Sequence, residues 1–354
     1  MQSFNNMGNK VLRVGIVGAS GYSGAELMRL LAPRLDVELA TVVAGTSAGK
    51  RVDELYPALT GIVDLTFEAF NPDRMDGLDV VFVALPSGEG MNIVPQVLDH
   101  VERVIDLGGD FRLSNATLYE EFYGRKHTCP ELLGEAVYGL TELNKASIAT
   151  SHFVANPGCY PTSALLPLLP LLKAGLISPK GIVINSLSGV SGAGRSASVE
   201  MSFVEANENI RAYKIGNHQH IPEIQSILEQ IAGGSVGLSF VPHLVPLTRG
   251  IYTTIHADIA ASCTQEAVFD AFLRSYDDAP FIRVRKTVPQ VRDVAFSNFC
   301  DIAFRMEERT NQIIIVSTID NLVKGAAGQA IQNMNIMLGL PEETGLMRKE
   351  LQDV

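Results

Sequence analysis

Val-Leu-Arg-Val-Gly-Ile-Val at 11–17, then Gly18-Ala19-Ser20-Gly21-Tyr22-Ser23-Gly24, then Ala-Glu-Leu-Met-Arg-Leu-Leu at 25–31 is the stretch that decides the fold. Its first part is a short apolar run rich in β-branched residues, as expected of a parallel strand buried on both faces. The last part has helical character. Strand, glycine turn and helix form the setting in which a backbone can approach a pyrophosphate while a helix N-terminus faces it. The spacing is GxxGxxG rather than GxGxxG, so taken alone it also suits a plain tight βα turn. Working outward, further strands are expected at 37–43, 79–85 and 103–107, with a helix at 93–101 between the last two. Strands alternating with helices at this spacing predict an α/β fold, a doubly wound Rossmann-type domain.

The second strand bears on the cofactor. An NAD site usually offers Asp or Glu where this strand ends, to hold the ribose 2′-hydroxyl. Here Ala44-Gly45-Thr46-Ser47-Ala48-Gly49-Lys50-Arg51 follows instead. Ser47, Lys50 and Arg51 suit a 2′-phosphate and point to NADP(H), though two cations also fit an ordinary solvated loop. Pro86-Ser87-Gly88 ends the third strand with small residues that would let a nicotinamide lie close. Beyond residue 180 strand-like runs at 181–187, 237–242, 250–257, 281–285 and 312–320 alternate with helical stretches at 222–231 and 264–276. This predicts a second, α+β domain on a mixed sheet. The segment 324–338 reads as a helix with small residues on its first turn, able to fold back on the nucleotide domain.

The chain has 354 residues, a formal charge of −11 and 46% hydrophobic residues, enough for two domains with cores. The acidic balance, without a basic cluster, argues against nucleic acid or an anionic membrane as partner. No apolar run reaches the length of a membrane span. Cys129, Cys159, Cys263 and Cys300 are far apart and form no CxxC, so no zinc site or disulfide framework is expected, and a reduced, cytoplasmic setting fits. Residues 1–10 are polar and read as a disordered leader rather than a signal peptide.

Chemistry concentrates at Asn156-Pro157-Gly158-Cys159-Tyr160-Pro161-Thr162. Pro157 and Gly158 make a non-helical approach, and Pro161 suits a first helical turn, which puts Cys159 at or just before a helix N-terminus. A thiolate is favoured there, and the expectation is a thiol pKa well below the ordinary value. An inert cysteine in a turn is the other reading. Pro167 and Pro170 predict a kink or an early stop. A reactive thiol needs a proton-transfer partner. His218 and His220, two apart in a stretch read as extended, would point to one side, and His220 lies nearer the expected helix start at Pro222. Glu223 could orient one of them. No third ligand lies nearby, so no metal is expected. Ser188-Gly189-Val190-Ser191-Gly192-Ala193-Gly194-Arg195 and Arg112 offer N–H groups, hydroxyls and guanidinium groups to an anion.

Taken together, the segments Gly18–Gly24, Asp110-Phe111-Arg112, Asn156–Thr162, Gly189–Arg195, His218–Glu223, Pro242-His243-Leu244 with Arg249-Gly250, and Asn321–Gln329 resemble N-acetyl-γ-glutamyl-phosphate reductase, the NADPH-dependent family of arginine biosynthesis. The resemblance spans nearly the whole chain in the family's order. It implies a dinucleotide-binding domain at 1–157 completed by a C-terminal helix at 325–354, and a catalytic and dimerisation domain at 158–324. It also implies a homo-oligomer and a small-molecule substrate. Cys159 would be the nucleophile, with His220 and then His218 the candidates for acid/base. Gly18, Ser20, Gly21, Tyr22, Ser23, Gly24, Ser47, Lys50, Arg51, Ser87, Gly192, Asn321, Lys324 and Gly325 would hold the cofactor. Arg112, Asn156, Ser191, Arg195 and Glu223 would meet the substrate. Two departures stand out: Gly108-Gly109 where the family is expected to have Ser-Ala, and Gln219 where Arg is common between the histidines. The alternatives are a reductase of aspartyl phosphate or of a carrier-bound aminoadipyl phosphate.

Overall fold

Six strands build the first layer of the computed structural model, which describes residues 11–347: β1 (Leu12–Val17), β2 (Val37–Val43), β3 (Val80–Val83), β4 (Val104–Asp106), β5 (Val137–Tyr138) and β6 (Phe153–Ala155). The expected leader lies outside the described residues. The strand order is β2-β1-β3-β4-β6-β5 and every pairing is parallel. Val14, Ile16, Val80, Val81, Phe82 and Val83 are fully buried, which is why these strands read as continuous apolar runs. The chain departs to opposite sides of β1, so a crevice opens beyond the carboxyl ends of β1 and β3. Gly18 occupies that crevice with φ +86, and a side-chain carbon on it would lie 2.3 Å from the Ala84 carbonyl oxygen. Only glycine fits.

A second sheet follows: β7 (Ile182–Gly189), β8 (Arg211–Ala212), β9 (Leu238–Val245), β10 (Ile251–Asp258), β11 (Ile282–Val284), β12 (Cys300–Glu307) and β13 (Gln312–Ile319). Its order is β11-β12-β13-β10-β7-β9-β8, with parallel and antiparallel pairs mixed. Three helices, Cys159–Lys173, His220–Ala232 and Gln265–Tyr276, cover one face and share one core with Ile184, Ile255, Ile302 and Ile315. On the other face Val183, Leu187, Tyr252 and Ile314 keep partial exposure, the alternation of a sheet covered on one side only.

The C-terminal helix departs from its expected span. A single π-helical turn, Val323–Ala327, leads into a helix that ends at Met337, and Gly339 at φ +68 follows. Residues 348–354 lie outside the described residues. Ala327, Ala330, Ile331 and Met334 pack with Val14, Ile16 and Leu27, so this helix does complete the core of the first sheet.

The cysteine helix corrects another expectation: it runs fifteen residues through Pro167 and Pro170. Pro170 cannot donate to the Leu166 carbonyl, but the Tyr276 hydroxyl donates there instead, at 2.5 Å. Residues 160–172 are all buried, and that packing outweighs the lost ladder bond.

Candidate active site

Cys159 is the first residue of its helix, with Gly158 as an extended N-cap carrying no side-chain cap. The turn before it is held from three sides. Glu223 accepts hydrogen bonds from the Gly158 N–H and the Tyr138 hydroxyl, both at 2.8 Å. Arg112 donates to the carbonyls of Asn156 at 2.8 Å and Leu107 at 2.7 Å, and lies 3.5 Å from Glu223. Asn156 accepts from Asn333 and donates to the Ala326 carbonyl. Most of these buried groups are bonded to one another, while Glu223 Oε2 has only the 3.5 Å approach of Arg112 and no hydrogen bond. Arg112, Asn156 and Glu223, expected to meet the substrate, hold the turn that carries the cysteine, and no hydrogen bond links Glu223 to either histidine among the described residues.

His220 stands beside the turn that carries Cys159. A side-chain carbon on Gly158 would lie 2.5 Å from His220 Nε2, so the imidazole is against the residue preceding the nucleophile. His220 is also the first residue of its helix, and the preceding segment is a turn rather than an extended strand. His218 Nδ1 accepts the His220 backbone N–H at 3.1 Å. Its ring lies among Tyr160, Tyr213 and Phe240, at centroid distances of 5.7, 5.4 and 5.4 Å. Burial pulls His218 down to about 3. His220 is driven well below its ordinary value, by burial first and then by His218 and Arg112. Both rings are therefore neutral near pH 7, and a neutral imidazole can accept a proton.

The thiol itself departs from expectation. Although Cys159 keeps some exposure, loss of water around the sulfur pushes it up to about 11, against the pull of Arg112 and of the Tyr160 N–H. Burial outweighs the helix terminus. The resting site is a thiol beside a neutral histidine rather than a thiolate–imidazolium pair. Alkylation of Cys159 by iodoacetamide should accordingly climb about tenfold per pH unit from about pH 6 to about pH 9, as a thiolate fraction does far below its pKa. A plateau near neutrality would show a preformed thiolate.

The opposite wall is the π-helical turn. A side-chain carbon on Gly325 would lie 2.8 Å from Cys159 Cβ, so a glycine here lets the turn pack directly against the cysteine. Its neighbour Lys324 faces away. Fully buried, the Lys324 ammonium donates to Glu142 at 2.6 Å and to Gln332 at 2.8 Å, so its side chain is engaged within the protein. Lys324→Met should lower stability by about 3–5 kcal/mol by stranding a buried carboxylate. A cofactor role for the ammonium would show instead as weaker NADPH binding at unchanged melting temperature. Asn321 is likewise engaged: it donates to Ser191 Oγ at 3.0 Å and accepts from the Gly250 N–H at 2.6 Å. Both the Asn321 and the Ser191 side chains are buried.

A cavity of about 450 Å³ opens over Cys159, lined also by Ser188, Gly192, His218 and His220. It brings in two cations that the sequence reading passed over, Arg211 and Lys214. Lys214 holds a left-handed φ of 45 and donates to Gln219 at 3.0 Å. So a lysine stands beside the position where an arginine was expected. The signal was visible as Arg211-Ala-Tyr-Lys214, just ahead of the histidines.

Arg195 is placed elsewhere than expected. It reaches across to the nucleotide turn, donating to the Ser20 carbonyl at 3.4 Å with its guanidinium 5.8 Å from the centre of the Tyr56 ring. The turn Gly18–Gly24 opens into a ten-residue helix with no side-chain cap and no acidic residue in its first turn, so its N–H groups suit an anionic cofactor. Tyr22 is exposed, Ser20 and Ser23 are half-buried, and all three edge that turn. After β2, Ser47 is buried and Lys50 exposed, while Arg51 is held by Asp53 at 2.9 Å and Asp64 at 3.0 Å. Ser87 edges the crevice next to Gly109. Gly109 replaces the expected alanine because a side-chain carbon there would lie 2.5 Å from the Tyr123 hydroxyl and 2.7 Å from Ser87 Oγ.

With this geometry in hand, the likeness to known proteins is specific. Residues 13–151 match the semialdehyde dehydrogenase NAD binding domain and residues 159–321 the semialdehyde dehydrogenase dimerisation domain. N-acetyl-gamma-glutamyl-phosphate reductase of Symbiobacterium thermophilum is 49% identical over 341 residues, covering 95% of this chain and 97% of that one. The protein of that name from Desulforapulum autotrophicum is 47% identical over 339 residues, covering 95% and 98%. The chain belongs to the N-acetyl-gamma-glutamyl-phosphate reductase family. Among solved structures, aspartate semialdehyde dehydrogenase II of Vibrio cholerae, complexed with ASA, superposes with a TM-score of 0.71 at 18% identity, covering 93% of this chain and 99% of that one. At that identity the likeness is one of fold.

Proposed function

We propose that this chain reduces N-acetyl-γ-glutamyl phosphate to N-acetylglutamate semialdehyde with NADPH, releasing phosphate, as a step of arginine biosynthesis. The observation that carries the reading is Cys159 at a helix N-terminus, between Gly325 and the neutral His220, under a cavity with Lys214 and Arg211 at its wall. His220 Nε2 takes the thiol proton as the sulfur attacks the acyl carbon. Lys214 and Arg211 balance the charge of the departing phosphate. Bound NADPH supplies the hydride that reduces the thioester. His220 then returns a proton to the oxygen, and collapse of the adduct frees the semialdehyde and restores the thiol. Glu223 and Arg112 hold the turn throughout.

The deciding assay runs the reaction backwards: phosphate-dependent reduction of NADP by N-acetylglutamate semialdehyde, compared with aspartate and aminoadipate semialdehydes. Preference for either of the latter two would overturn the substrate. NADPH is held by Gly18–Gly24, by Lys50 against its 2′-phosphate and by Arg195 from the second domain. Lys50→Ala and Arg195→Ala should each weaken NADPH binding about tenfold, the scale of a charge-assisted hydrogen bond. For Lys50→Ala the loss should be absent with NADH, and equal losses for both cofactors would remove it from the 2′-phosphate. Gly192, beside Cys159 in the same cavity, and Ser87 flank the nicotinamide. The half-exposed face of the second sheet packs against a second copy. The need for a reduced Cys159 fits the cytoplasm, and among the described residues no helix is long and apolar enough to cross a membrane.

A further inference from the structure

One guanidinium joins two carboxylates from opposite ends of the chain. Arg249, in the connection between β9 and β10, donates to Asp320 Oδ2 at 3.0 Å and to Glu26 Oε2 at 3.2 Å. Asp320 is fully buried and Glu26 nearly so. Each belongs to a different part of the candidate active site. Glu26 lies on the helix Tyr22–Leu31, which the nucleotide turn opens. Asp320 follows β13, and its Oδ1 accepts the N–H groups of Leu322 at 2.9 Å and Val323 at 3.2 Å, which caps the π-helical turn. The Asp320 backbone carbonyl accepts the Gly325 N–H at 2.9 Å, and Gly325 packs against Cys159. Asp320 Oδ2 also accepts the Phe296 N–H at 2.7 Å. Phe296 holds a left-handed φ of 62, with its ring centre 4.2 Å from the Arg249 guanidinium. A phenylalanine in that region is strained, and such strain persists only where the surroundings fix it.

Neither carboxylate depends on Arg249 for a partner. Glu26 also accepts from Arg29, and Asp320 from the N–H groups of Phe296, Leu322 and Val323. What Arg249 adds is the tie between them, for which a rigid fork of donors is suited. We propose that Arg249 is a positioning residue: it fixes the helix that carries NADPH relative to the turn against Cys159, so that cofactor and nucleophile meet in reacting register. This role rests on the reductase reading.

The test is alkylation of Cys159 by iodoacetamide in the full chain, with and without saturating NADPH, beside turnover in the phosphate-dependent assay. In the parent, NADPH should slow alkylation about fivefold or more, the scale of a coupling between two sites. In Arg249→Met that protection should vanish and kcat should fall about 10²-fold, as for a misplacement of about 1 Å, while NADPH affinity changes about twofold at most. Arg249→Lys keeps a charge but not the fork, and should fall between the two. A merely structural part would lower the melting temperature and leave protection as in the parent. Protection kept in Arg249→Met, or absent from the parent, would overturn the proposal. Glu26→Gln takes the charge from the cofactor-helix arm alone and should lose part of the protection; full protection there would overturn the proposal even where Arg249→Met fails to fold. A parent that shows the protection but reduces NADP with none of the three semialdehydes would sink the substrate reading alone, and alkylation of Arg249→Met would still decide this role.

Discussion

Cys159→Ser should lose turnover by about 10⁴- to 10⁶-fold, the range seen when an acyl-transfer nucleophile is removed. The residue sits where a hydroxyl would be geometrically acceptable: first in its helix, with Gly325 against its β-carbon and Gly158 fixed by Glu223. What the substitution removes is chemical. A thiol raised to about 11 can still be deprotonated by a neighbouring imidazole during attack, whereas an alcohol is far harder to ionise and far less nucleophilic. NADPH affinity should be unchanged, since the nucleotide turn belongs to the first sheet, and fluorescence titration checks it. Cys129, Cys263 and Cys300 are buried, and serine at any of them should leave the rate largely intact. Retention of a tenth of the activity in Cys159→Ser would rule out the covalent route.

His220→Asn should slow the reaction by about 10²- to 10⁴-fold, the usual contribution of a general acid–base. His220 works as an acceptor only when neutral. Its folded pKa lies well below the ordinary histidine value, so its ionisation limits the rate only on the acid side, well under pH 6.5. That acid limb should vanish in His220→Asn while Cys159 still alkylates. His218→Asn should preserve the limb and cost about tenfold or less, because His218 acts through the backbone N–H of His220. Loss of the limb in His218→Asn, with a normal profile in His220→Asn, would exchange the two roles.

The chain's own pattern was enough for the larger architecture. An apolar β-branched run, a glycine turn and an amphipathic helix carry a parallel βα unit in local sequence, since burial on both faces and close backbone approach are constraints on residue type. The helix N-terminus at Cys159 was legible for the same reason: Gly158 and Pro161 restrict backbone angles wherever they occur. Strand β12 was missed because Asp301 and Arg305 break its apolar pattern. Asp301 is satisfied by Arg283 and Arg285 from outside the strand.

Charges and protons were not legible, because their state depends on what the fold brings near them. Arg112 and Glu223 are 111 residues apart in sequence and close around one turn, a pairing the sequence could not show. Lys324 had to await its partner Glu142, and Arg195 its place over Ser20. The helix terminus predicted a lowered thiol, but a dipole acts over one turn while desolvation depends on everything packed around the sulfur. The sequence by itself determined the two-domain architecture, most of the strands of the two sheets and where the thiol stands. Only the tertiary structure decided which charged groups are spent on each other, because pairing and burial are set by neighbours distant in the chain.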